Sequence, residues 1–146
     1  MYLYSSTGKK VFVSFDYDHD RHYYYLLKGW DANKSFKFHF SDYTSKEIKS
    51  DNISIVKQKL SQKINEADYT LVIVGAHSNE AHPDRNLIGY KNWQNYEIAK
   101  SFEHGNKVIA VKIDRTYDSP YELLGKGVSW AYAFSEDAIS RALSNV

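Results

Sequence analysis

Trp93 and Glu97 stand four residues apart in the stretch Trp93-Gln94-Asn95-Tyr96-Glu97-Ile98. On a helix, residues i and i+4 lie one above the other on the same face. An aromatic ring beside a lone carboxylate is suited to gripping a sugar-bearing aromatic ligand and stabilising positive charge on it. Ile98 and Phe102 form a second i,i+4 pair in another direction. The spacing therefore predicts a helix that buries Ile98, Ala99 and Phe102 against a sheet and holds Trp93 and Glu97 towards a cleft.

The surrounding elements must provide that sheet. Lys10-Val-Phe-Val-Ser-Phe15 and Tyr69-Thr-Leu-Val-Ile-Val-Gly75 are short apolar runs of the kind buried parallel strands give. Phe36, Phe38 and Phe40 alternate with polar residues at strand period. Lys107–Ile113 and Trp130–Phe134 complete five predicted strands. Between them lie a helix opening at Asp18–Arg21 with Tyr24, Leu27 and Trp30 inward, and another capped at Asp51 or Asn52. The second carries Ile53, Val56, Leu60 and Ile64 at amphipathic spacing. The Trp93 helix ends at His104-Gly105, a glycine stop, and a last short helix is capped at Ser135. This alternation predicts an α/β fold, a flavodoxin-like five-stranded parallel sheet of order 2-1-3-4-5 with helices on both faces. Residues 1–146 are read as a single domain. Ligands of such sheets bind beyond the carboxyl ends of the strands. Here those ends are Ser14-Phe15-Asp16, Phe40-Ser41-Asp42 and Gly75-Ala76-His77, with the start of the Trp93 helix opening onto the same edge.

Composition narrows the function. The chain has 146 residues, a formal net charge of +1 and no cysteine. Near-neutrality gives no electrostatic footprint for nucleic acid or an anionic membrane. The missing cysteines exclude thiolate chemistry and fit a reducing, cytoplasmic setting. No run reaches signal-peptide or membrane-span character. GxGxxG and GxxxxGK[ST] turns, a GxSxG elbow and an HExxH pair are all absent, which disfavours Rossmann, P-loop, serine-triad and metalloprotease readings. Six histidines, among them the i,i+3 pair His19 and His22, are a weak metal signal, and no metal is expected. A receiver domain would need a lysine after the fifth strand, and none follows Phe134. The 13 tyrosines suit stacking and interfaces, and equally strands and half-buried helix faces.

Taken together, several segments resemble the TIR domain superfamily, and more narrowly the TIR-like domains of bacterial anti-phage Thoeris systems. They are Lys10–Phe15 with Asp16 to Asp18, Phe40-Ser-Asp42, Ala67–Gly75, Trp93-Gln-Asn-Tyr-Glu97-Ile98 and Gly105-Asn-Lys-Val-Ile-Ala-Val111. The resemblance covers roughly residues 9–114. It implies an enzyme in which a helix glutamate sits against the ribose of NAD, the nicotinamide–ribose bond breaks, and ADP-ribose, a cyclic isomer or a conjugate is released. By that resemblance Glu97 is the catalytic acid, Trp93 the tryptophan one turn earlier and Phe15 the aromatic after the first strand's serine. Asp42 opens a loop used to meet a neighbour. Gly and Pro are absent from residues 41–51, where many TIR loops carry them. Ser14, Asp16 and His77, at the strand ends, join Phe15, Trp93 and Asp42 as expected substrate contacts. NAD is expected as substrate, with no resident cofactor. The expected partners are a second copy, another TIR protein or a phage protein. A TIR scaffold that only assembles with other TIR domains is the alternative.

Overall fold

The computed structural model describes residues 10–32, 39–40, 48 and 50–146. In chain order the elements are β1 (Lys10–Ser14), α1 (Tyr17–Asp31), β2 (His39–Phe40), α2 (Ile53–Asn65), β3 (Tyr69–Val74), α3 (Arg85–Ile88), α4 (Trp93–His104), β4 (Lys107–Lys112), a single 3-10 turn (Tyr121–Leu123), β5 (Ser129–Ala131) and α5 (Glu136–Ser144). The strands pair in parallel in the order β2-β1-β3-β4-β5. Among the described residues, no helix is long and apolar enough to cross a membrane.

Short polar side chains set most helix starts by accepting the otherwise unpaired N–H groups of the first turn. Asp16 accepts from Asp18 N at 3.2 Å, so α1 begins at Tyr17. Asn52 accepts from Ile55 N, Asn92 from Asn95 N and Ser135 from Ala138 N. Gly105 ends α4 at φ 91°, a left-handed conformation that a side chain would strain, and its N–H reaches the carbonyls of Ser101 and Phe102.

Strand parity divides the core. Val11 and Val13 of β1, Leu71 and Ile73 of β3, and Ile109 and Val111 of β4 pack on one side with Tyr24 and Leu27 of α1 and Ile139 and Leu143 of α5. The alternate residues face the other helices. Phe12 meets Val56, Leu60 and Ile64 of α2 and Tyr96 of α4, while Val72, Val74, Val108 and Ala110 meet Ile98. Helices thus cover both faces, as a parallel sheet with no wet side requires.

One expectation needs revision. The fifth strand is Ser129–Ala131 rather than Trp130–Phe134. Its pairing with Ile109–Val111 ends at Ala131, and Phe134 leaves the sheet to pack on Trp30 and Tyr23. Between β3 and α4 the short helix α3 forms and buries Ile88. Of the strand expected over Phe36–Phe40, His39–Phe40 pairs with β1, and residues 36–38 lie outside the described residues.

Candidate functional site

A cleft of about 210 Å³ opens at the carboxyl edge of β1 and β3. Its walls are the β1–α1 turn (Phe15 to His19), the β3–α3 segment around His77 and Glu80–Pro83, and the first turn of α4 at Asn92, Trp93 and Gln94. The walls are held by short polar bonds. Asn92 caps α4 and also donates through Nδ2 to the carbonyls of Ser78 and Glu80, both at 2.9 Å, tying the segment after β3 to the helix. Ser78 accepts from Gly75 N and donates to Ile73 O, closing the turn out of β3.

Glu97 is not on the cleft wall. Its side chain is 3 % exposed and faces the sheet, where Ser14 Oγ donates to its Oε1 at 2.7 Å. The reason is strand parity: Ser14 projects from β1 on the side of Phe12, the side α4 covers. Gln94, Glu97 and Ser101, spaced three and four apart, form a buried polar stripe of α4 beside Ile98. Ser101 bonds Thr70 Oγ1 at 2.6 Å and the Glu97 carbonyl at 2.7 Å. The expected arrangement, Trp93 and Glu97 together towards an open cleft, is therefore corrected. Trp93 is half-buried at the cleft, edge-on to Tyr96 at 5.7 Å, while Glu97 lies one layer below. Ile98 and Ala99 are buried as expected, and Phe102 is only half-buried.

Burial dominates the chemistry of this acid. Desolvation pushes the Glu97 carboxyl from 4.5 up to about 8, and the Ser14 hydrogen bond offsets only part of that. At neutral pH the unliganded site holds a protonated carboxyl that a nearby cation would help to ionise.

The other expected residues take varied positions. Phe15 lines the cleft but is 6 % exposed and stacks on Tyr24, ring centroids 4.9 Å apart, so it is chiefly a core residue. Ser14 is fully buried and acts on Glu97 rather than lining the cleft. Asp16 and His77 both line it. Asp16 Oδ2 bonds His19 Nδ1 at 2.7 Å, and His77 Nδ1 bonds Glu80 Oε1 at 2.5 Å. The two imidazoles stack at 3.7 Å. The Asp16 hydrogen bond is the main cause of the raised His19 pKa. Asp42 lies outside the described residues. Among the described residues, no group of three or more histidine or acidic side chains could hold a metal ion.

Two buried acceptors lack partners among the described residues, Asp20 Oδ2 and Gln94 Oε1. The Asp20 carboxyl lies against Gly75, where an added Cβ would fall 2.1 Å from its Oδ2. Desolvation raises its pKa. Neither residue stands out in the sequence as a site residue. Gln94 had one legible signal, its i,i+3 spacing to Glu97, which places both on one helix face.

A family model for the TIR-like domain of Thoeris protein ThsB matches residues 12–118. The chain belongs to this family. No curated protein matches it. The family assignment places the TIR-like domain in Thoeris anti-phage defence. The matched segment runs from within β1 to the loop after β4, so it contains every described wall of the cleft together with Ser14 and Glu97. β5 and α5 lie beyond the match, β5 as the edge strand beside β4.

Proposed function

We propose that this TIR-like domain cleaves the nicotinamide–ribose bond of NAD and releases an ADP-ribose-derived signal, cyclic in the simplest form. The observation that carries this reading is the buried Glu97 carboxyl, fixed by Ser14 beneath an aromatic-edged cleft at the carboxyl end of β1.

The chemistry suits one acid. Nicotinamide leaves as a neutral base, so no general acid need protonate it, unlike an ordinary glycoside. The sugar becomes oxocarbenium-like, and a fixed carboxylate in a low-dielectric site stabilises that charge. Bound NAD carries a pyridinium cation, and a cation near the carboxyl favours its ionised form. Substrate binding would thus help to create the anion that the transition state needs. The sugar meets Glu97 only when the cleft floor opens at Gln94, so binding and opening are coupled in this mechanism. Trp93, with the edge of Phe15, would flank the ring and exclude water. A ribose hydroxyl attacking the cation gives a cycle, and water gives ADP-ribose. No resident cofactor or metal takes part in this scheme.

The cleft is smaller than the roughly 300–1,000 Å³ of sites that enclose a drug-sized ligand. It fits one end of a dinucleotide, and a second copy, another TIR protein or a phage protein would cover the rest. The segment 41–51, with Asp42, is the proposed meeting surface. The reaction would run in the cytoplasm, where NAD is at hand.

A second reading, a scaffold acting only by protein–protein assembly, is favoured by the exposed Tyr121, Leu124 and Tyr132, at 65 %, 59 % and 71 %. Incubation with NAD, with nicotinamide followed by chromatography, separates the two. Release by the native protein and its loss in Glu97→Gln support the enzyme. No release at any protein concentration, with or without phage lysate, supports the scaffold.

A further inference from the structure

Gln94 is 4 % exposed and bridges the two strands that end at the cleft. Its Nε2 donates to Ile73 O of β3 at 2.8 Å and to Ser14 O of β1 at 3.2 Å. Those bonds fix the amide's orientation. Turning it over would lose both and set an oxygen against two carbonyl oxygens. The remaining atom, Oε1, is therefore held as an acceptor, and it is buried without a partner among the described residues. Gln94 also lines the cleft, next in sequence to Trp93 and one helical turn before Glu97.

A buried acceptor left unpaired costs about 1–3 kcal/mol, which a ligand donor recovers. Such a site discriminates strongly, because a ligand without the donor leaves the protein group unpaired in the complex. Resting on the NAD-cleaving reading above, we propose that Gln94 Oε1 accepts a hydrogen bond from the carboxamide N–H of nicotinamide and thereby selects amidated over deamidated dinucleotides. The ring enters beside Trp93, and the same opening of the floor brings the attached ribose to Glu97. Nicotinic acid adenine dinucleotide is the informative competitor. It differs from NAD only in carrying a carboxylate for the carboxamide, so it loses the N–H donors and brings one more acceptor oxygen and a negative charge to an oxygen that needs a donor. The ribose hydroxyls are the other donors on this half of the ligand, and they are common to both dinucleotides.

The test measures both dinucleotides in two ways. Turnover is followed by release of nicotinamide or nicotinic acid. Binding is followed by calorimetry on the Glu97→Gln protein, so the result does not depend on cleavage. The expected preference for NAD is about 10² or more in kcat/KM and in affinity. Gln94→Met, which keeps the length and removes the acceptor, should reduce that preference at least tenfold. It also removes the two bonds to Ser14 O and Ile73 O. A second variant, Gln94→Glu, loses the same two bonds but keeps an acceptor oxygen, so it should retain the preference for NAD that Gln94→Met loses; loss of the preference in both variants overturns the proposal. Equal handling of the two dinucleotides by the native protein overturns the proposal while leaving Glu97 chemistry intact. Equal weakening of both by Gln94→Met also overturns it. Binding preference without any cleavage supports Gln94 and removes the enzymatic reading. Failure of both dinucleotides to bind overturns both.

Discussion

Replacing Glu97 by glutamine should remove activity and, above neutral pH, make the protein more stable. In the unfolded chain this carboxyl ionises near 4.5, whereas in the folded protein burial holds the proton to about 8. Between those values the unfolded state binds fewer protons than the folded one, so native stability falls as pH rises. Below pH 4.5 both states are protonated, and above about 8 both are ionised, so the slope vanishes at each end. At about 1.36 kcal/mol per pH unit, the interval from 4.5 to about 8 amounts to about 5 kcal/mol lost by the native protein and not by Glu97→Gln. The glutamine can still accept from Ser14 Oγ, but its amide hydrogens enter a buried site. Any that stay unpaired cost about 1–3 kcal/mol at every pH. The informative quantity is therefore the growth of the stability difference with pH, not its value at one pH. Urea denaturation of both proteins from pH 4 to 9 at fixed ionic strength measures it, with the other titrating groups common to both. Nicotinamide release measured alongside should fall by about 10²–10³ or more in the variant. A stability difference that stays constant from pH 4.5 to 8 would show that Glu97 is already ionised in the folded protein, and the reasoning from burial would fail.

The pH dependence of turnover gives a second check. The acid limb of kcat/KM, which reports the free enzyme, should lie near 8, and that of kcat should lie lower because the bound pyridinium favours the carboxylate; coincident limbs would remove the coupling between substrate charge and Glu97. Ser14→Ala deletes the hydrogen bond that holds the Glu97 pKa down and should move the acid limb of kcat/KM to higher pH, at a stability cost of about 1 kcal/mol. Phe15→Ala should cost about 3–5 kcal/mol in urea denaturation because the ring is buried against Tyr24, so any effect on NAD must be measured at full folding. Gly75→Ala drives a Cβ into the Asp20 carboxyl and should destabilise by about 1–3 kcal/mol, a penalty largely absent when added to Asp20→Ala; equal penalties in both backgrounds would deny the contact.

The apolar runs of β1 and β3, the amphipathic spacing of α2 and the glycine that stops α4 could all be read from the chain, because each is a local pattern with a local cause. The same holds for α4 as the carrier of Trp93 and Glu97. The limits of the fifth strand are not legible in the segment itself, because they are set by pairing with β4, which the segment does not encode. The site was legible as a set of residue types and much less as an arrangement. A glutamate on an amphipathic helix reads as outward-facing, since a buried charge is costly. Only packing shows that α4 turns Gln94, Glu97 and Ser101 towards the sheet, where Ser14 and Thr70 wait on the matching parity. The contact between His19 and His77 joins residues far apart in sequence, and the orphaned oxygen of Gln94 exists only because Ser14 O and Ile73 O occupy its amide nitrogen. Sequence determined which groups are present and which helix or strand bears them. Tertiary structure decided their ionisation and their partners, because desolvation and hydrogen bonding depend on distances across the sheet, which no local pattern sets.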